Sequence, residues 1–462
     1  MNFAPSMALN REPSATVDSL MPFFKNMTFF ENTTFKGDFC VHGKASTLPI
    51  DGVSVNGVGV ITVPFSALAA TSMKAVSTQA PYGLGRETIV DSKVRDCFQI
   101  DSSQLTTTPL WDQEIKNVVD QAAVGLGLDP NQVKAKLYKL LMYEAGGHFE
   151  PHRDTEKETG MFATLIIQFP SEFTGGDLVV RHCGIERVFR SKDQSQRREF
   201  QYVALYADCE HELRQITLGR RLVMAYSLCW GGDTASLPTL PSLDTALALA
   251  EALKNLRGQG CLLLEHQYTM SSLARYGLGA LKGKDRLQAS ALKCASSLMV
   301  QDGGGGLELC IARAARVVTD HPDSHPWSRR RRPAVQPSVD TVFAEDGSTP
   351  SERTLDRLTR LRLYRDVINK YGWKNGYRNY QWVDRLARDD SIYCGDRNEW
   401  EFISGMDAWF KSAQGGKVKF TGNEGHGETT EYFCYVLAIH RRDCHGEEIE
   451  QEDSEDTTGQ EE

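Results

Sequence analysis

Apolar positions in the middle of the chain come in short runs rather than in long periodic stretches. Met161 to Phe169, Leu178-Val179-Val180, Tyr202 to Tyr206 and Leu222 to Trp230 are each bounded by Gly, Pro or Asp. Runs of that length with that punctuation read as β-strands. Upstream, Val53, Val55, Val58, Val60 and Ile61 fall in brief runs within residues 38–75, which predicts further strands extending the same sheet system. Ala80-Pro81-Tyr82-Gly83 reads as a turn. Trp111 to Ala123 and Asn131 to Leu141 read as helices beside the sheets. Asp129-Pro130-Asn131-Gln132 supplies a capping residue and a proline at a helix start.

After Trp230-Gly231-Gly232 the pattern changes. Leu243 to Leu256 is an amphipathic Ala/Leu-rich helix by periodicity, and Cys261 to Glu265 is strand-like. Gln288 to Leu298 and a segment from Leu307 to Val318 follow. His321 to Ser348 holds four prolines and an Arg329-Arg330-Arg331-Arg332 run, and reads as a linker. Thr349-Pro350-Ser351-Glu352 has capping-box spacing ahead of a helical stripe (Leu355, Leu358, Leu361, Tyr364, Val367, Ile368, Tyr371) that stops at Gly372. Glu431 to Ile439 reads as a last strand. The expected organisation is therefore a loose arm over 1–37, a β-rich domain over 38–232, a mixed α/β region over 233–440 with its linker near 320–348, and a tail over 441–462.

Composition narrows the function classes. A hydrophobic content of 40% with 24% charged residues is that of a soluble globular chain. The net charge of −9 comes from the tail: His445 to Glu462 has nine acidic residues and no Lys or Arg, and the rest of the chain balances. Nucleic-acid binding is therefore not indicated. The Arg329–Arg332 run reads either as a solvated linker or as a nuclear signal. Eleven dispersed cysteines without a CxxC pair predict reduced thiols, hence a cytoplasmic or nuclear protein. Neither a signal peptide nor a membrane span is expected. The sequons at Asn26 and Asn32 then read as chance. Gly303 to Gly306 lacks a Walker lysine and reads as a flexible loop, and Thr421-Gly422-Asn423-Glu424-Gly425 as a turn.

The candidate chemistry lies in the β-rich part. His152-Arg153-Asp154 is followed by His211, 57 residues beyond Asp154, and by Arg221, ten residues further on. Two imidazoles and one carboxylate are the ligand set of a mononuclear non-haem iron(II) site with open positions. His152 and Asp154, two residues apart, would project from one side of an extended strand, with His211 on another strand. His148 and His182 are the rival imidazoles; we expect His148 to pack beside the site and His182 to lie near its mouth or in solvent. Arg220 and Arg221 are not separated by composition. Adjacent strand residues face opposite ways, so only one of them enters the barrel.

Tyr143-Glu144-Ala145-Gly146-Gly147-His148-Phe149 before the histidine pair, Gly175-Gly176-Asp177 after it, Ala207-Asp208-Cys209-Glu210-His211 and Thr217-Leu218-Gly219-Arg220-Arg221 occur in the order seen in one enzyme family. Over about residues 130–230 the chain resembles the prolyl 4-hydroxylase-like branch of the 2-oxoglutarate/iron(II)-dependent dioxygenases. The resemblance implies an α+β protein with a double-stranded β-helix (jelly-roll-like) oxygenase core and flanking helices, and a mixed α/β C-terminal region beside it. It implies Fe(II) on His152, Asp154 and His211, with 2-oxoglutarate and O2 as co-substrates and ascorbate as reductant. Family spacing selects Arg221 to grip the 2-oxoglutarate carboxylate and sets Tyr143 at the pocket edge. Gln168 stands where relatives carry a hydroxyl donor, which is a departure from the pattern; Thr217 is a weaker candidate. The expected reaction is hydroxylation of a protein or peptide side chain. The alternatives are oxygenation of a small molecule or nucleobase, or a non-catalytic interaction scaffold.

Overall fold

The computed structural model describes residues 37–84, 87–190, 199–232, 237, 243–254, 259–320, 334–352, 354–355, 401–402, 414–419 and 428–442. The sequons, the Arg329–Arg332 run, the helical stripe beyond Leu355, the Thr421–Gly425 turn and the acidic tail lie outside the described residues, as does nearly all of the N-terminal arm.

Two large sheets dominate the β-rich part. Their strands in chain order are β1 (Cys40–Lys44), β2 (Thr78–Gln79), β3 (Arg95–Asp96), β4 (Phe98–Asp101), β5 (Val133–Tyr143), β6 (His148–His152), β7 (Met161–Gln168), β8 (Leu178–His182), β9 (Ile185–Phe189), β10 (Gln201–Tyr206), β11 (Glu210–Leu213) and β12 (Arg221–Trp230). A seven-stranded sheet runs β1-β10-β7-β12-β5-β4-β2, and a five-stranded sheet runs β9-β8-β11-β6-β3. Both sheets contribute to one continuous apolar core. Strand β12 lies between β7 and β5, and all of its residues are buried. Burial on both faces is why Leu222–Trp230 is apolar apart from Ser227.

Helix α2 (Pro109–Gly125), preceded by the shorter α1 (Ala67–Val76), covers the outer face of the large sheet. Thr108 caps α2 by accepting from the Trp111 amide at 3.3 Å, and proline occupies its first turn. Trp111, Ile115, Val118, Val119, Ala122 and Ala123 make its buried stripe. Trp111 is fully buried and donates through Nε1 to the Tyr226 hydroxyl of β12 at 2.9 Å. That contact assigns the two faces of β12. Tyr226 faces α2, so Arg221, Val223, Ala225 and Ser227 face the other sheet.

Several local expectations are corrected. The segment expected as a helix over 131–141 is strand β5 after one 3-10 turn, Pro130–Gln132, which Asp129 does cap. Its start alternates Val133, Ala135, Leu137 with Lys134, Lys136, which is a strand period. A bulge between Leu137 and Lys139 then resets the phase and hides it. Of the strands expected within 38–75, β1 joins the large sheet. Val53–Val55 instead pairs with Gly59–Val60 on one side and Leu105–Thr107 on the other in a separate three-stranded sheet, and Ala67–Val76 is helical. The turn expected at Ala80–Gly83 runs into a strand, Tyr82–Leu84, paired with Glu87–Ile89.

The C-terminal part is a six-stranded sheet with helices α3 (Leu243–Lys254), α4 (Met270–Tyr276) and α5 (Gly283–Gln301). Its strands are β13 (Gln259–Leu263), β14 (Leu307–Asp320), β15 (Ala334–Phe343), β16 (Glu401–Phe402), β17 (Gln414–Lys419) and β18 (Glu428–Arg441), in the order β15-β14-β18-β13-β16 with β17 also on β18. Strand β15 lies inside the stretch expected to be a linker. Its prolines misled because Pro337 falls within a strand on the sheet edge, where a missing N–H is tolerated. The cap of the next helical turn is Ser351, whose hydroxyl accepts from the Thr354 amide at 3.3 Å, not Thr349.

The two parts share one core and a polar seam. The Asp208 carboxylate, in the β10–β11 turn, accepts from Lys282 Nζ at 2.9 Å, from His266 Nδ1 at 3.0 Å and from the Gln267 amide at 3.0 Å. From the other side, buried Asp285 of α5 accepts from the Glu265 and His266 amides and the Tyr268 hydroxyl at 2.8, 2.9 and 2.7 Å. The loop after β13 is thus held between two carboxylates. Arg286 donates to Gln132 Oε1 at 2.9 Å and lies over the Trp230 ring, while Tyr206 accepts from the Gly283 amide at 3.2 Å.

Lys282 and Asp208 form a buried pair, with side chains 8% and 7% exposed. Removing the ammonium leaves the buried Asp208 charge without its lysine partner, which costs about 3–5 kcal/mol. Lys282→Met is expected to lower the unfolding free energy by about that amount in urea titrations, whereas Lys116→Met, at an exposed i,i+4 pair on α2, should change it by less than about 1 kcal/mol.

Candidate metal centre and anion pocket

His152 ends β6 and His211 stands on the neighbouring β11, directly opposite it in register. Their ring centroids are 4.2 Å apart. Asp154 lies beyond the end of β6, so the strand alternation expected to place it is not what does. Its amide donates to the Ala207 carbonyl at 3.0 Å, which turns the chain back toward β11. Its Oδ2 lies 3.8 Å from His211 Nε2 and accepts from the Thr164 hydroxyl of β7 at 2.6 Å. One ligand atom from each of His152, Asp154 and His211 falls within 4.8 Å of the other two.

The imidazoles are held in the tautomer a metal needs. His152 Nδ1 lies 2.8 Å from the Glu150 carbonyl and His211 Nδ1 lies 3.1 Å from the Cys209 carbonyl. A carbonyl only accepts, so each Nδ1 carries the proton and each Nε2 presents a lone pair. Burial, with His211 beside it, holds the His152 pKa down to about 3, so the ring is neutral at pH 7. Burial alone would raise the Asp154 pKa. The His211 and His152 rings and the Thr164 hydroxyl outweigh it and keep the carboxyl below its usual range. Two imidazoles, one carboxylate and no sulfur suit iron(II) or another borderline divalent ion.

The rival imidazoles lie elsewhere. Both nitrogens of His148 face backbone carbonyls, Gly146 at 3.1 Å and Lys93 at 3.0 Å. His182 is half-buried and stacks on His266 at the seam, 4.4 Å between ring centroids.

Arg221 begins β12 and is 5% exposed; its Nε donates to Gln168 Oε1 on β7 at 2.9 Å. Arg220 turns outward and bonds Glu144 at 3.2 Å. Burial lowers the Arg221 pKa to about 10, so the guanidinium still carries its charge at neutral pH. Among the described residues no carboxylate forms an ion pair with it. Tyr143 of β5 is its cross-strand partner and is buried, and burial pushes its phenol well above the ordinary range. Ser227, opposite Thr164 on the same face, buries a hydroxyl with no partner among the described residues. A cation without a counter-ion and an orphan hydroxyl among the described residues suit this interior to an anionic, hydrogen-bonding group. Thr217 is at the surface, paired with the Thr174 hydroxyl at 2.8 Å.

Sequence reasoning missed Arg95. Its guanidinium packs on Phe149 at 4.4 Å, and Phe149 stacks on His152. Arg95 donates to the Pro81 carbonyl at 2.8 Å, and its Nε meets no acceptor among the described residues. A single arginine on a two-residue strand has no period or motif to announce it. Thr164 was missed for a similar reason: its role depends on the fold of the loop around Asp154.

No family model matches the chain, and no curated protein matches it. Among solved structures the chain is similar to a 2OG-Fe(II) oxygenase-family oxidoreductase from Burkholderia pseudomallei, at 14% identity over 46% of this chain and 90% of that one, with a TM-score of 0.25. It is similar to a prolyl-4-hydroxylase from Pseudomonas putida, at 17% identity, 45% and 98% coverage and a TM-score of 0.27. It is also similar to a prolyl hydroxylase from Trichoplax adhaerens in complex with a hypoxia inducible factor peptide fragment, at 10% identity, 46% and 90% coverage and a TM-score of 0.26. At these identities and scores no residue role follows from the likeness.

Asp154→Ala and His211→Ala are each expected to abolish stoichiometric iron(II) binding in anaerobic equilibrium dialysis, while His148→Ala leaves it intact. Thr164→Val removes only the hydroxyl that orients Asp154, and should weaken iron(II) roughly ten- to a hundredfold, the usual effect of losing such an outer partner.

Proposed function

We propose that this chain is a 2-oxoglutarate- and iron(II)-dependent dioxygenase of the prolyl 4-hydroxylase-like kind, with a double-stranded β-helix core, which hydroxylates a protein or peptide side chain and releases succinate and carbon dioxide. The observation that carries the reading is the buried Arg221 guanidinium without an ion-pair partner among the described residues, in the same sheet interior as the His152, Asp154 and His211 set. A facial set of two imidazoles and a carboxylate leaves positions open for other ligands. A dicarboxylate would satisfy both features at once, one end at the metal and the other on the arginine.

Each residue then has a physical task. Arg221 binds the distal carboxylate bidentately, and the Gln168 side chain fixes the plane of the guanidinium. Tyr143 closes the pocket beside them. His152 and His211 hold the metal through Nε2 because their Nδ1 protons are committed to the backbone, and Thr164 orients Asp154. Bound iron(II) would supply the oxygen chemistry, with ascorbate as its reductant. Arg95, beside Phe149 and with Nε unpartnered among the described residues, offers a donor to a substrate carbonyl near the metal. The loop after Asp154 favours a macromolecular substrate, because Glu156 ties it to α4 of the C-terminal part through the Ser271 hydroxyl at 2.9 Å. The C-terminal part is thereby tied to the loop that follows Asp154.

Purified protein with iron(II) and ascorbate is expected to convert 2-oxoglutarate to succinate, faster with a proteome-derived peptide pool than without. No succinate above a metal-free control would refute the activity. Arg221→Ala should weaken 2-oxoglutarate binding by about 1.5–3 kcal/mol, roughly ten- to over a hundredfold, as for loss of a charge-assisted bidentate pair. Arg220→Ala should change it less than about threefold, because that side chain faces Glu144 and solvent. Calorimetric titration of both variants decides between them, and a reversed order would remove the carboxylate role from Arg221.

A further inference from the structure

We propose that His182, Cys183 and Glu265 form a second metal site, one that takes zinc and ties the β8–β9 hairpin to the C-terminal part. One donor atom of each residue lies within 4.8 Å of the other two. Cys183 Sγ is 3.5 Å from His182 Nε2 and 3.7 Å from the Glu265 backbone carbonyl. Zinc bonds of about 2.3 Å to sulfur and about 2.0–2.1 Å to nitrogen at a tetrahedral angle place those two donors about 3.5 Å apart, so the pair needs little movement to bind. Thiolate, imidazole and carboxylate with one outward position are a zinc donor set, and the sulfur separates this site from the sulfur-free iron set in the barrel.

The chain conformation at Cys183 points the same way. Cys183 and Gly184 are the two central residues of the hairpin, which closes at the His182–Ile185 pair. Both have positive φ, 46° and 80°, as this two-residue turn requires. Asn or Gly would normally stand first. Among the described residues Cys183 is the one non-glycine residue with positive φ, and it is the one exposed cysteine. The turn aims its thiol across the seam at Glu265. His182 is already oriented: its ring stacks on His266, which Asp208 holds through Nδ1 at 3.0 Å. Such support behind a ligand is what metal sites need. Glu265 has one competitor, Lys284 at 2.7 Å, in a partly exposed pair that a divalent ion can displace.

A neighbouring grouping, His182 with Asp208 and His266, also brings donor atoms within 4.8 Å. It is not the site we assign. The Lys282 ammonium sits 2.9 Å from Asp208 in a buried pair and would repel a cation, and the carboxylate oxygens already accept from Lys282, His266 and Gln267.

The test uses the full chain carrying Asp154→Ala, which disables the barrel site, and cobalt(II) as the spectroscopic stand-in for zinc. We expect one equivalent of cobalt to give a thiolate-to-metal charge-transfer band in the near ultraviolet, displaced by one equivalent of zinc. Cys183→Asn should abolish the band without harming the fold, because asparagine suits the left-handed turn. His182→Ala and Glu265→Gln should each weaken zinc at least tenfold. Zinc should raise the melting temperature of the Asp154→Ala chain, and Cys183→Asn should remove that rise. Absence of the band in the parent chain, or a band or zinc-induced rise that survives Cys183→Asn, would overturn the site. Neither outcome depends on dioxygenase activity, so the two proposals fail separately.

Discussion

The Asp208 carboxylate is the contact on which the rest of the arrangement leans. It sits in a turn whose other groups are already engaged with the candidate metal-ligand set. The carbonyl before it, Ala207, accepts from the Asp154 amide, and the carbonyl after it, Cys209, accepts from His211 Nδ1. The Asp208 side chain points the opposite way, into the C-terminal part, where an ammonium, an imidazole and an amide converge on it. Burial opposes its ionisation, but Lys282 and His266 overcome that and hold its pKa well below the ordinary value. A three-residue turn therefore fixes two of the three candidate ligands on one side and the second half of the molecule on the other. The C-terminal part is a structural component of the site, not only an attachment to it.

This coupling changes how the two parts should be regarded. Trp230 at the end of β12 packs on Phe162 of β7 and faces Tyr276 of α4, with Arg286 over its ring. Gly160, at φ +78°, approaches Tyr276 so closely that a Cβ there would come within 2.7 Å of the phenol oxygen. Glycine is required by both the turn and the neighbour. Contacts of this kind belong to a shared interior. They bind the loop between Asp154 and β7 to the C-terminal part at Glu156 and at Gly160.

Where pattern and chemistry coincided, the sequence was readable. Strands β7, β10 and β12 are short, almost wholly apolar and punctuated by Gly, Pro or Asp, and they appear within a residue or so of where the runs begin and end. Helix α2 has its cap, its proline and its stripe. His152, Asp154 and His211 stood out as donors, and adjacent Arg220 and Arg221 had to face opposite ways. Strand β5 was misread because lysine, alanine and leucine favour helix locally, and pairing with β12 and β4 overrides that preference. Strand β15 was hidden by its prolines. Thr164, Arg95 and the Asp208 seam were invisible because each owes its place to chain segments tens of residues away. The bulge in β5 and the bend that carries Asp154 back to Ala207 are irregularities, and periodicity has no term for them.

Arg221 has a last consequence, for the abundance of the protein rather than its chemistry. A guanidinium sealed in an apolar interior opposite a glutamine, with no carboxylate paired to it among the described residues, is costly to bury, and burial lowers its pKa. Any dicarboxylate that seats there relieves that cost, and it does so only in the folded state. Folding and occupancy are then linked: a ligand at a hundred times its dissociation constant adds about 2.7 kcal/mol to the folded state. For a chain of ordinary marginal stability that increment is enough to alter how much of it escapes proteolysis. On the proposed function, the buried arginine would tie the lifetime of the polypeptide to the supply of the dicarboxylate.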